Sequence, residues 1–157
     1  MKLRAIITLA VIRWTPMVAG LAEPQRSAEG GALLVVVTGL RNDHGRVGCG
    51  IFNGPEGFPR EKRKEFRGMW VPIKGNTAMC DFKDVPAGNY AATVLHDENV
   101  DGKMDFSLIG IPTKGYGFSN NAKTTLSPPS FDAARVTYDG KGTLSVPIRI
   151  VYRTKSM

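Results

Sequence analysis

The sequence predicts an all-β domain, an antiparallel β-sandwich of about seven strands with a long irregular loop region. Three observations predict it. The first is composition: 18 Gly and 10 Pro in 157 residues favour many turns and few long helices, beside an ordinary 42% hydrophobic and 22% charged content. The second is a succession of short runs rich in β-branched and aromatic residues. The third is the set of turn residues that separates those runs. A chain of this length holds one domain with a real hydrophobic core and has no room for a second.

The amino terminus reads Met1-Lys2-Leu3-Arg4, then an apolar stretch from Ala5 to Ile12, then Gly20-Leu21-Ala22 before Glu23. Cations, an apolar run and small residues in that order predict a signal peptide over 1–22, and hence a periplasmic or secreted protein. Arg13 and Pro16 interrupt the apolar helix. No apolar run approaches the ~20 residues that a bilayer needs, so no transmembrane span is expected in the mature chain. Residues 23–31 are polar and without periodicity, as expected of a flexible linker. The sandwich domain is expected over 32–152 and a C-terminal tail over 153–157.

Strands are expected at 32–38, 46–53, 69–74, 77–82, 89–96, 134–138 and 143–152. Asn42-Asp43, Gly75-Asn76, Pro86-Ala87-Gly88 and Asp139-Gly140 supply turns between them. This spacing suits an immunoglobulin-like or transthyretin-like sandwich. The runs 69–74 and 77–82 read as a hairpin through Gly75-Asn76, with Pro72 on an edge or at a bulge. Pro147 places the same limit on the last strand. Between His96 and Ala134 strict alternation stops, and a site is sought there first.

Removal of 1–22 takes Lys2, Arg4 and Arg13 away and lowers the formal charge from +7 to +4. The run Arg60 to Arg67 mixes five cations with two glutamates and lacks the aromatic interleaving that stacks bases. No nucleic-acid partner is expected. Alternation puts Cys49 on one strand face with Val47 and Ile51, and Cys80 on another with Ala78 and Phe82. In an oxidising compartment the pair reads as one disulfide; the alternative is two buried free thiols.

Two clusters carry chemistry. Asp97, Asn99 and Asp101 alternate and are followed by Gly102 and Asp105, which places oxygens at positions 1, 3, 5 and 9 of a calcium loop. The carbonyl of Lys103 takes the seventh position. Leu108 stands where a helix-loop-helix calcium site has its bidentate glutamate, so a full EF-hand is excluded. A calcium ion here would be weakly held and would need Glu98, Asn120 or water to complete its shell. The competing reading is a tight turn in which Asp and Asn bond nearby amides and Gly102 takes a positive φ. The second cluster is Tyr116 and Phe118 with Asn120 and Asn121 behind them, rings and amides suited to a flat ligand such as a sugar. Its competing reading has both rings filling the mouth of the sandwich. The partner classes left open are a small molecule, a glycan or a protein.

Three segments stand in a recognisable order: Asp84 through Asp105, with Pro86-Ala87-Gly88-Asn89-Tyr90 ahead of the acidic turn; Gly110 through Asn121; and Pro128-Pro129-Ser130-Phe131-Asp132-Ala133. From about Leu33 to Ile150 the chain resembles the exported bacterial family named domain of unknown function 2141. The resemblance implies an export-linked β-sandwich and no particular activity. Cys49 and Cys80 lie outside the pattern that carries it.

No nucleophile elbow, phosphate-binding glycine loop, His-Glu-x-x-His or Cys-x-x-Cys is present in the sequence. A shallow similarity to a transthyretin-like hydrolase rests on His44, His96 and the ending Tyr152-Arg153-Thr154-Lys155-Ser156, where Thr154 replaces the glycine of that enzyme's Tyr-Arg-Gly-Ser. A binding or structural module is the first reading, and a transthyretin-like small-molecule hydrolase is the alternative.

Overall fold

The computed structural model describes residues 31–124 and 127–153. The expected signal peptide, most of the linker and residues 154–157 lie outside the described residues.

Eight strands are present: β1 (Gly31–Thr38), β2 (Arg46–Phe52), β3 (Arg67–Val71), β4 (Ala78–Val85), β5 (Gly88–Asp97), β6 (Gly115–Phe118), β7 (Arg135–Tyr138) and β8 (Thr143–Arg149). One helical turn, α1 (Phe131–Ala134), precedes β7. The strands form a sandwich of two sheets, one ordered β4-β1-β8 and the other β3-β2-β5-β6. β7 pairs with the first half of β5, over 88–91, and β6 with the second half, over 93–96. Those two short strands therefore lie end to end along the β5 edge opposite β2. All pairings are antiparallel except β1 with β8.

Period-two patterning explains why these segments are strands. Leu33, Val35 and Val37 of β1, Ala78, Cys80 and Phe82 of β4, and Val146 and Ile148 of β8 are buried, while Leu34, Val36, Met79, Asp81 and Pro147 between them are more exposed. They meet Val47, Cys49, Ile51 and Val94 of the opposite sheet in the main core. A smaller aromatic cluster at the β5–β6 edge joins Phe52, Tyr116, Phe118 and Phe131, with the Phe58 ring packed edge-on to three phenylalanines. Cys49 and Cys80 are bonded, with sulfurs 2.02 Å apart, and because β2 and β4 belong to different sheets the bridge ties the two halves together.

Two expectations need correction. The turn at Gly75-Asn76 exists, closed by a bridge between Lys74 and Thr77, but β3 and β4 do not form a hairpin. β3 ends at Val71, just before Pro72, which has no N–H for a ladder, and the chain crosses to the other sheet. The region expected to be irregular contains β6, all four of whose residues are buried. A Cβ on Gly115 would lie 2.3 Å from the Tyr152 ring and one on Gly117 2.7 Å from Ile148, so both glycines permit close approach. The expectation for Pro147 holds, since β8 is an edge strand. The Ile150 N–H reaches the Thr38 carbonyl of the neighbouring β1 chain, so odd-numbered positions of β8 turn away from β1 and the missing donor of Pro147 faces the free edge. Among the described residues no helix is long and apolar enough to cross a membrane.

Candidate functional site

β5 and β2 pair up to Asp97 and Arg46, which carries Asp97 to the end of the ladder with its side chain fully buried. The chain then turns tightly. The Gly102 N–H donates to Asp97 Oδ2 at 2.8 Å and the Lys103 N–H to Asp101 Oδ1 at 2.9 Å, while Gly102 sits at φ +76°. These are side-chain-to-amide bonds of the kind that make Asp and Asn good turn formers.

Lys114 returns to this turn from the residue just before β6. Its side chain is 6% exposed, and its Nζ lies 2.8 Å from Asp97 Oδ1, 2.5 Å from Asp101 Oδ1 and 2.8 Å from the Lys103 carbonyl. Asp105 Oδ2 is 3.3 Å away. Four of the five predicted ligand groups thus converge, and they converge on an ammonium. Asn99 does not join them; its amide donates to Asp101 Oδ2 at 3.0 Å. On the far side of Asp97, Arg46 Nε donates to Oδ2 at 3.3 Å and its guanidinium stacks over the Trp70 ring at 4.1 Å.

The electrostatics follow from that geometry. Burial alone would push the Asp97 carboxyl up, but hydrogen bonds from Lys114, Gly102 and Arg46 outweigh it and hold it below its ordinary value. The Lys114 ammonium beside Asp101, with the Lys103 N–H, holds that carboxyl far below the carboxylate range. Burial likewise works against the charge on Lys114, and the bonds to Asp101, Asp97 and Asp105 overcome it and raise the amine above its usual value. Calcium takes six to eight oxygens. Here four oxygens converge, and Lys114 Nζ lies at their point of convergence. Among the described residues no group of three or more His, Cys, Asp or Glu is arranged to hold a metal.

A second polar network adjoins the first. His96 is fully buried, with Nδ1 2.6 Å from the Tyr152 hydroxyl and Nε2 2.9 Å from the His44 carbonyl. A carbonyl only accepts, so Nε2 carries a hydrogen, and the Tyr152 oxygen bonded to Nδ1 also accepts from the Arg41 N–H. Glu98 pairs with Arg41 and accepts from the Asn42 amide, and the Arg41 bond is the main reason its carboxyl lies below the ordinary range. The three residues of the hydrolase alternative are each engaged in bonds that hold the fold. His96 has both nitrogens engaged, His44 meets it only through a carbonyl, and Arg153 bonds the Tyr116 hydroxyl and the Thr124 carbonyl.

The aromatic cluster is placed inside. Tyr116 and Phe118 lie in β6, 5% and 9% exposed, with the Tyr116 hydroxyl 2.9 Å from Thr124 Oγ1. Asn120 and Asn121 follow at φ +58° and +47°, left-handed conformations that asparagine accepts more readily than most residues.

Residues 35–145 match the model of the family described as "uncharacterized protein conserved in bacteria", domain of unknown function 2141. The chain belongs to this family. The match spans the whole acidic loop and includes Lys114, which sequence spacing did not single out because a lone lysine ahead of a glycine-rich strand carries no ligand signature. No curated protein matches the chain, and no solved structure does.

Within this domain of unknown function 2141 the two asparagines act as clasps. Asn120 Nδ2 donates to the Arg135 carbonyl at 2.7 Å, holding β7, and Asn121 Oδ1 accepts from the Arg149 N–H at 2.8 Å on the free edge of β8. Asn121→Val is expected to cost about 2–3 kcal/mol, combining a lost hydrogen bond with a β-branched residue at positive φ. Asn121→Gly, which keeps the φ, should cost about 1 kcal/mol. Urea titration of the two variants measures the difference.

Proposed function

We propose that the chain is an exported binding or structural module without a reaction centre, whose 98–113 loop is displayed at one end of the sandwich and held closed by its own ammonium. The observation that carries this reading is Lys114 Nζ among oxygens of Asp97, Asp101, Asp105 and the Lys103 carbonyl. In a calcium loop a divalent ion gathers such oxygens; here a covalently attached cation does so without a metal supply. Export is supported by the pattern of residues 1–22 and by a disulfide of the kind that persists in oxidising compartments. A non-catalytic role is supported by the full engagement of His96 and by the self-contained bonding of the acidic loop.

The test is thermal melting of the full chain in excess chelator and in millimolar calcium. A ligand that binds only the folded state raises stability by about 2.7 kcal/mol at one hundred times its Kd. Superimposed curves are expected. A rise in Tm with calcium overturns the ammonium-for-metal reading.

A further inference from the structure

Beyond its clamped base the loop becomes a small hairpin. The Thr113 N–H bonds the Asp105 carbonyl at 2.9 Å, Phe106 bridges to Pro112, the Ser107 N–H bonds the Ile111 carbonyl at 2.8 Å, and the Gly110 N–H bonds the Ser107 carbonyl at 2.9 Å. The two residues at the apex are Leu108 and Ile109. Their exposures are 108% and 78%, and Phe106 below them is 61% exposed.

Single exposed apolar residues are ordinary on a protein surface. Two adjacent aliphatics at the centre of a four-residue turn are not, because such positions favour Gly, Asn, Asp, Ser and Pro, and a local rule broken without a packing gain marks a functional position. The Leu108 side chain is fully exposed, so the fold gains no stability from burying it.

The shape and charge of this apex select its occupant. Three apolar side chains present on the order of 400 Å², about half of what each partner contributes to a standard protein interface. A second copy would therefore be held poorly. A bilayer surface needs no complementary shape and accepts a narrow convex apolar tip. The charges at the base permit it: Asp97, Asp101 and Asp105 are ion-paired with Lys114, Asp97 also with Arg46, and Glu98 with Arg41. Lys103, exposed in the same loop, has no ion pair among the described residues and is free to meet phosphate.

We propose that the 105–113 hairpin inserts Leu108, Ile109 and Phe106 into a phospholipid surface, with Lys103 facing the headgroups. This rests on the reading of the loop as a displayed element, and the Lys114 clamp supplies the stiffness that keeps the tip projecting.

The experiment uses the full chain carrying Leu108→Trp with vesicles of phosphatidylethanolamine and phosphatidylglycerol, half of them made with bromine-labelled acyl chains. Insertion shifts the emission of Leu108→Trp to the blue and quenches it in the brominated vesicles beyond the change seen in the unsubstituted chain, which reports on Trp14 and Trp70 alone. A second variant, Leu108→Asp with Ile109→Asp, should lose about tenfold or more in vesicle binding attributable to the tip, with unchanged melting because both side chains are solvent-exposed. Added-tryptophan emission indifferent to vesicles overturns the proposal, as does undiminished binding of the double variant. A concentration-dependent shift without vesicles assigns the tip to a second copy and also overturns it. The two proposals fail separately, because calcium-sensitive melting with intact quenching removes the ammonium clamp and leaves the insertion standing.

Discussion

Replacing Lys114 by methionine is expected to cost the domain about 3–5 kcal/mol, the usual consequence of removing one partner from a buried ion pair. Asp97 is fully buried and would keep Arg46 and the Gly102 N–H, but its shortest charged contact would be gone. Asp101 and Asp105 would face each other and Asp97 without a counter-ion. Native domains are stable by about 5–15 kcal/mol, so this one substitution removes a large share. At roughly 3–4 °C per kcal/mol for a domain of this size, Tm falls by about 10 °C or more. An unchanged Tm would mean that the lysine is solvated in solution and the loop is held by other contacts.

The same contacts set the response to pH. Asp97, Glu98 and Asp101 have folded-state values below their ordinary ones, so the stability they contribute is present above the ordinary carboxylate range and is lost as pH falls through the folded values. Lys114 has a raised value, so its contribution is present below the ordinary lysine value and is lost as pH rises through the folded one. The wild-type domain should be most stable between these limits and weaken in acid. In the Lys114→Met variant the carboxylates repel instead, so acidification through the carboxylate range should cost less stability than in the wild type. Urea titrations across pH check the two slopes.

Reduction of the Cys49–Cys80 bridge is the second large effect. The bridge closes a separation of 31 residues, for which the chain-entropy relation gives about 3–4 kcal/mol. It also joins the two sheets through their facing cores, with Cys80 fully buried and Cys49 4% exposed. A reductant should lower Tm by about 10 °C and should leave a Cys49→Ala, Cys80→Ala variant, already destabilised, without further change. Equal melting of oxidised and reduced wild type would contradict the assigned role.

Much of this fold was legible in the sequence because alternation in half-buried strands is a strong signal, as in Ala78-Met79-Cys80-Asp81-Phe82 of β4. β6 was not, since Gly115-Tyr116-Gly117-Phe118 is buried on both faces and its glycines are chosen for close backbone approach rather than strand propensity. The hairpin misreading around Gly75-Asn76 has a similar origin. The turn is local and readable, whereas the divergence of β3 and β4 into separate sheets depends on long-range pairing with β2 and β1. At the acidic loop the spacing of Asp97, Asp101 and Asp105 announced converging oxygens. What they converge upon was hidden, because Lys114 lies outside the spacing pattern and becomes a central cation only when β6 pairs with β5 and brings the preceding residue back over the turn.

A crystal structure of the protein grown in millimolar calcium distinguishes a lysine-held loop from a metal-held one. Lys114 Nζ is expected between Asp97, Asp101, Asp105 and the Lys103 carbonyl, at hydrogen-bonding separations of 2.5–3.3 Å. A calcium ion at that point, with oxygens at about 2.3–2.6 Å and the lysine turned out to solvent, would contradict it.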